Sequence, residues 1–167
     1  MKYYNTNIEN LKIRETNETD IPIILALIKE IAGYENLSNE VIATEENLRK
    51  SIFENNRAEV VIVELEGKAV GYALYFYNFS TFIGRSGLYL EDIFIKKEVR
   101  GRGFGKEIFK FLGEKAREEG CKRIEWTCLN WNEPAIKFYE TIGAIPMDEW
   151  TLYRLKEKEI IRLSKMK

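Results

Sequence analysis

The stretch that most constrains this chain runs from Leu88 to Lys106, LYLEDIFIKKEVRGRGFGK. Leu88 to Ile95 is apolar or aromatic except at Glu91 and Asp92, which predicts a central strand buried on both faces. Neighbouring strand residues point to opposite faces, so at least one of the two carboxylates should aim inward. A buried carboxylate is costly unless something partners it. The strand runs into Arg100-Gly101-Arg102-Gly103-Phe104-Gly105-Lys106, after which Phe104, Ile108, Phe111, Leu112 and Ala116 recur at helical spacing up to a stop at Gly120. A glycine-rich turn from strand to helix lets backbone N–H groups approach an anion without Cβ obstruction, and the helix N-terminus adds a favourable potential.

The anion is narrowed by elimination. A Walker loop fails because Arg100 stands at its first glycine and Glu107 follows Lys106. A dinucleotide G-x-G-x-x-G fails too: begun at Gly101 it ends on Lys106, and begun at Gly103 it ends on Ile108. What remains is Arg100-x-x-Gly103-x-Gly105. From the residues alone this is either an anion loop or a tight turn whose glycines serve close packing.

Composition excludes several classes. At 167 residues the chain is one domain's worth, expected to span 1–167 as a single unit with a real core. Its net charge of −1, with both signs mixed, argues against a nucleic-acid partner. No apolar run is long enough to span a bilayer and MKYYNTNIEN has no signal-peptide core, so the expectation is cytoplasmic, with no membrane partner. Cys121 and Cys128 are too few for a disulfide framework or a zinc site. There is no histidine, so His triads and His metal sites are out and no metal is expected. A general base must then be a carboxylate, a tyrosine or water.

Along the chain, Leu11 to Glu15 reads as a first strand. Thr19 or a polar neighbour caps a helix whose apolar face is Ile21, Ile24, Leu25, Ile28, Ile31 and Ala32, ending near Gly33. Thr44 opens a second helix through about Phe53. Val60 to Leu65 and Val70 to Phe79 are strands joined at Glu66-Gly67. After the glycine-rich helix come a strand at Arg123 to Cys128 and a helix opened by Asn132, with Pro134 in its first turn and Gly143 at its end. Trp150 to Leu155 reads as a last strand, and Lys156 onward as a charged helix or tail. The order β-α-α-β-β-β-α-β-α-β predicts a mixed sheet with helices on both faces.

These residues resemble a known family. Arg100-x-x-Gly103-x-Gly105 resembles the [QR]-x-x-G-x-[GA] acyl-CoA loop of the GNAT superfamily of N-acetyltransferases, and the element order is similar to the GNAT fold, an α/β (α+β) fold with a mostly antiparallel sheet. Within it, four blocks resemble the spermidine/spermine (diamine) N-acetyltransferases and their thialysine-acetylating relatives: LIKEIAGYE at Leu27–Glu35, LYLEDIFI at Leu88–Ile95, RGRGFG at Arg100–Gly105, and WNEPAIKFY at Trp131–Tyr139 followed by Gly143-Ala144.

The resemblance implies acetyl-CoA as cosubstrate and a small amine as acceptor, joined by direct attack. It implies a pyrophosphate on Arg100, Gly101, Arg102, Gly103, Phe104, Gly105 and Lys106, and a pantetheine arm along Ile93, Phe94 and Ile95, with an amide near Ile93 polarising the thioester. Asn132, with Glu133, Pro134 and Ala135, would flank that arm. Tyr139 matches the family's general acid, although on residues alone it sits on an apolar helix face and reads as core. Glu91 matches the residue that binds the amine and draws off its proton; the alternative is a structural ion pair. Tyr34 and Glu35 match a substrate-contacting pair, or else a solvated loop. Glu125, Trp126 and Thr127 match another contacting segment, with Trp126 equally a core residue. A homodimer is implied as well. The alternatives within this reading are thialysine, lysine or another small amine as acceptor, or a non-catalytic acyl-CoA-binding module.

Overall fold

β-branched and aromatic runs bounded by turn residues build a ladder of hairpins through the first three-quarters of the chain. The computed structural model describes residues 1–166. It forms two compact units, Met1–Thr127 and a second beginning at Cys128. The first holds a six-stranded sheet in sequence order: β1 Tyr3–Asn5, β2 Leu11–Glu15, β3 Glu59–Leu65, β4 Lys68–Ser80, β5 Arg85–Ile95 and β6 Ile124–Glu125. All neighbours are antiparallel except β5 with β6. The mixed, mostly antiparallel fold expected from the sequence is therefore the one that forms.

Helices cover both faces. On one, α3 (Phe104–Glu118) buries Phe104, Ile108, Phe111 and Leu112 against Leu11, Ile13, Val61, Val63, Leu88 and Leu90. On the other, α1 (Ile21–Tyr34) buries Ile24 and Leu27 with Ile52, Val60, Tyr72 and Phe94. Ile52 comes from a π-helical turn, Arg49–Glu54, that continues α2 (Glu45–Leu48). Caps follow the sequence closely. Thr44 accepts from the Asn47 amide, as expected. The nearby polar residue that caps the approach to α1 is Asn17, which accepts from the Thr19 amide ahead of a 3-10 turn at Glu18–Asp20.

Arg14 ties the start of this unit together. Its guanidinium meets Asp20 at 2.8 Å and Glu64 at 2.6 Å, with Arg14 and Asp20 both buried. Burial alone would raise the Asp20 carboxyl, but the Arg14 hydrogen bonds, the Asn17 amide and the Arg14 charge hold it below the ordinary carboxylate range. A depressed carboxyl contributes stability above its unfolded pKa, and that contribution is lost as pH falls through the folded value. Arg14→Ala strands two carboxylates and should cost about 3–5 kcal/mol. Urea unfolding at neutral pH measures this, and a loss under about 1 kcal/mol would contradict the pairing.

In the second unit, α4 (Glu133–Thr141) ends in a Schellman motif: the Gly143 amide donates to Glu140 and the Ala144 amide to Tyr139, with Gly143 left-handed at φ +85. α5 (Glu157–Ser164) is the charged terminal helix. Two expectations need correction. Trp150 to Leu155 is not a strand: among the described residues of this unit there is no strand for it to pair with, and an extended run without a ladder partner is only coil. The strand expected over Arg123 to Cys128 shrinks to Ile124–Glu125, the length over which β6 meets β5. β1, a short YYN segment with no alternation, was not foreseen. No helix among the described residues is long and apolar enough to cross a membrane.

Candidate active site

The acidic strand departs from simple alternation. Along β4 and β5, Leu74 pairs with Asp92 but Tyr75 pairs with Leu90, so Glu91 is an extra residue, a β-bulge. Before the bulge, Leu88 and Leu90 face the α3 core; after it, Ile93 and Ile95 pack against that core and Phe94 joins the α1 core. The side-chain period therefore slips by one. Glu91 and Asp92, neighbours in sequence, both fall on the α1 face instead of on opposite ones. Glu91 is exposed and Asp92 half-buried. The inward carboxylate anticipated from the sequence is thus Asp92.

The Tyr72 hydroxyl donates to Asp92 at 2.8 Å. Burial raises the Asp92 carboxyl above its ordinary range, with the Tyr72 hydrogen bond opposing. Tyr72 is itself pushed far up, first by burial, then by Asp92, and further by Glu35 and Glu91. Glu35 follows the last residue of α1, and it too is raised, by burial and by the charge of Asp92. Asp92 thus bonds the Tyr72 hydroxyl, and the charges of Glu35 and Glu91 are felt there. A cation placed there would relieve their mutual repulsion.

The glycine loop follows β5 through a 3-10 turn at Lys97–Val99. Gly103 is the N-cap of α3 at φ +83, a conformation that L side chains rarely adopt. Amides of Val99, Arg100, Lys106 and Glu107 donate to backbone carbonyls here, whereas those of residues 101–105 have no protein acceptor among the described residues. A run of such donors at a helix N-terminus fits a pyrophosphate. Glu107, buried in the first turn, is held away from that end by the Asn7 amide at 3.1 Å and the Asn7 side chain at 3.3 Å.

Arg100 is placed differently from its loop neighbours. Its Nε donates to the Ile95 carbonyl at 2.8 Å, and its guanidinium lies 4.3 Å from the Tyr34 ring centroid and 5.5 Å from that of Phe94. The side chain of Arg102 lies over Phe104 at 5.2 Å. Ile93, Phe94 and Ile95 end β5 immediately before this loop.

Glu125 stands apart from the acidic group. It accepts from Asn78 at 2.8 Å and pairs with Arg123 at 2.9 Å. Asn78 reaches it across β5 because Gly87 lies between them, where a Cβ would sit 2.5 Å from the Asn78 oxygen. Trp126 stacks edge-on against Phe109 at 5.0 Å, in the core, and Thr127 is exposed. Asn132, Glu133, Pro134, Ala135 and Tyr139 all belong to the second unit. Asn132 occupies the N-cap of α4, its carbonyl accepting from the Ala135 and Ile136 amides, and the Tyr139 ring lies 5.7 Å from that of Phe138. Sequence reasoning left Asp92 and Tyr72 out of the site. The acidic pair in a buried strand was a signal for Asp92, but a bulge leaves no mark in an apolar run, and Tyr72 reads as core.

Comparison with known proteins gives the family. Residues 25–144 match the model of the acetyltransferase (GNAT) family. The thialysine N-epsilon-acetyltransferase of Sus scrofa is 38% identical over 164 residues, 91% of this chain and 96% of that protein. The spermidine/spermine N(1)-acetyltransferase-like protein 1 of Homo sapiens is 28% identical over 170 residues, 95% of this chain but 24% of that longer protein. Among solved structures, an integron cassette protein from the mobile metagenome of V. cholerae superposes with a TM-score of 0.79 at 25% identity, covering 95% of this chain and 100% of that one. The sheet, the glycine loop and a match over most of the chain lead to one assignment: the chain belongs to the acetyltransferase (GNAT) family and is an N-acetyltransferase.

Proposed function

We propose that this enzyme acetylates a primary amine of a small cationic polyamine or diamine, using acetyl-CoA. The observation that carries the reading is the acidic group at the Tyr72 hydroxyl, which Asp92 bonds and where the charges of Glu35 and Glu91 are felt, beside the strand that leads into the glycine loop. Three carboxylates suit an acceptor with more than one positive charge.

Acetyl-CoA supplies the acetyl group in activated form. The free amides of residues 101–105 would hold its pyrophosphate, and the Ile93–Ile95 end of β5 its pantetheine arm. Glu91, exposed at the bulge, would bind the ammonium and accept its proton directly or through water. Tyr139 would give a proton to the departing thiolate. A free tyrosine has a pKa of about 10 against about 8.5 for a thiol, so its neutral form can donate to a developing thiolate. Asn132, Glu133, Pro134 and Ala135 would flank the arm from the start of α4. Tyr34 and Glu35 would meet the acceptor, while Glu125, Trp126 and Thr127 are better read as structural. We also propose one domain over 1–167, acting as a cytoplasmic homodimer; the dimer rests on the family resemblance alone.

A second reading is thialysine, or a similar amino acid, as acceptor. The 38% identity to a thialysine acetyltransferase favours it. The acidic group favours an acceptor without a carboxylate of its own. Thiol release with acetyl-CoA and a panel of amines tests both readings.

Two expected results concern the halves of the site. Gly103→Val forces a β-branched residue into a left-handed position and misaligns the amides beside it. Losing one or two charge-assisted bonds of about 1.5–3 kcal/mol each should weaken acetyl-CoA binding tenfold or more by calorimetry. Unchanged affinity in a folded variant would sink the loop assignment. The second result is a pH dependence. Glu35 and Asp92 are raised, so they take up protons at a higher pH than free carboxylates. Each proton removes a charge from the amine site, so amine KM should rise as pH falls through this range. Asp92→Asn should flatten that rise; a profile parallel to wild type would remove Asp92 from the site.

A further inference from the structure

We infer that Arg100 is a positioning residue, a strut that fastens the Tyr34–Glu35 end of α1 to the root of the glycine loop and so holds Glu35 in the amine site. The inference rests on the proposed acetyl transfer to a small amine. Arg100 opens the loop motif, where a cation is most simply read as a pyrophosphate ligand. Its observed contacts point elsewhere. Nε is committed to the Ile95 carbonyl at 2.8 Å, and the guanidinium lies over Tyr34 at 4.3 Å and near Phe94 at 5.5 Å. Phe94 is buried and Ile95 ends β5, so two of the three partners are fixed. The third, Tyr34, is 38% exposed and ends a helix. The strut therefore ties an exposed helix end to a fixed strand end.

Glu35 comes next in sequence, and its amide donates to Ile31 at 2.9 Å. The following amides, Asn36 and Leu37, donate to Gly33 at 3.3 Å and Ala32 at 2.8 Å. The Arg100 guanidinium over the Tyr34 ring joins this turn to the root of the glycine loop. A planar guanidinium stacks on an aromatic face while donating in its own plane, which a lysine ammonium does not do. Lys96, beside the strut, pairs with Glu30 of α1 at 3.0 Å and fastens the same helix one turn earlier.

Two readouts test the strut, hydrogen exchange at the amides of residues 35–37 and steady-state kinetics in both substrates. In Arg100→Gln and in Tyr34→Leu, exchange at 35–37 should quicken by about tenfold, from the loss of a cation–π contact and of a charge-assisted bond or its alignment. Tyr34→Phe, which keeps the ring under the guanidinium, should exchange more slowly than Tyr34→Leu. Amine KM should rise roughly five- to tenfold in Arg100→Gln while acetyl-CoA KM stays within about twofold. The Arg100→Gln/Tyr34→Leu double variant should be little worse than either single one, since both remove one contact. Unchanged exchange overturns the strut. Faster exchange with unchanged amine KM overturns its positioning role, and so does a rise confined to acetyl-CoA KM, which would return the guanidinium to the pyrophosphate. A wild-type protein that turns over no amine would instead defeat the proposed function, while the exchange data still decide whether the strut exists.

Discussion

Replacing Tyr139 with Phe is expected to lower the turnover number by roughly 10²–10⁴, the usual range for a lost general acid. The substitution keeps the ring, so its stacking beside Phe138 should survive. The backbone is equally safe, because the Tyr139 carbonyl is pinned by the Ala144 amide in the Schellman turn. Only the hydroxyl is removed. Its contribution grows as charge develops on sulfur, so the loss should fall on kcat with acetyl-CoA affinity much less affected. A melting curve confirms folding, and a solvent viscosity test shows whether chemistry limits the rate. A folded, chemistry-limited variant within about threefold of wild type would return Tyr139 to the core.

Glu91→Gln should lower kcat/KM for the amine by a similar factor, about 10²–10⁴, and leave acetyl-CoA binding nearly intact. The bulge makes this a clean experiment. Glu91 is the extra residue in the β4–β5 register and is exposed, so the amide disturbs neither ladder nor core. On the proposed role of Glu91, the change removes a charge that attracts the ammonium and a base that can take its proton. Asp92 offers the necessary contrast. It is tied to Tyr72 at 2.8 Å and half-buried, a poorer proton acceptor by geometry though raised by burial. If Glu91→Gln is silent while Asp92→Asn abolishes turnover, the acceptor is Asp92 and the two carboxylates exchange roles.

The parts of this protein that follow local rules were legible in its sequence. The Thr44 cap, the hairpin at Glu66-Gly67, the amphipathic face of α3 and the glycine turn before it all depend on residues within a few positions of one another. What was not legible depends on counting across strands. One inserted residue at Glu91 reverses every side chain beyond it, and the run LYLEDIFI looks the same with or without it. The family resemblance pointed to Glu91, while the run itself could not say which of the two carboxylates turns inward. Arg100 makes contacts that were not legible for a related reason. Its motif position suggested the anion, and only the fold shows Tyr34, distant in sequence, beneath its guanidinium. Trp150 to Leu155 has the composition of a strand, but composition cannot supply a partner.

The central claim is acetyl transfer to a small cationic amine. Its most direct measurement is release of free thiol from acetyl-CoA with spermidine, spermine, putrescine, thialysine and lysine in parallel, the acetylated product identified by mass. Amine-dependent thiol release is predicted, with an N-acetylated primary amine as product and higher kcat/KM for the polyamines than for lysine. A folded protein that binds acetyl-CoA but acetylates none of these amines would contradict it.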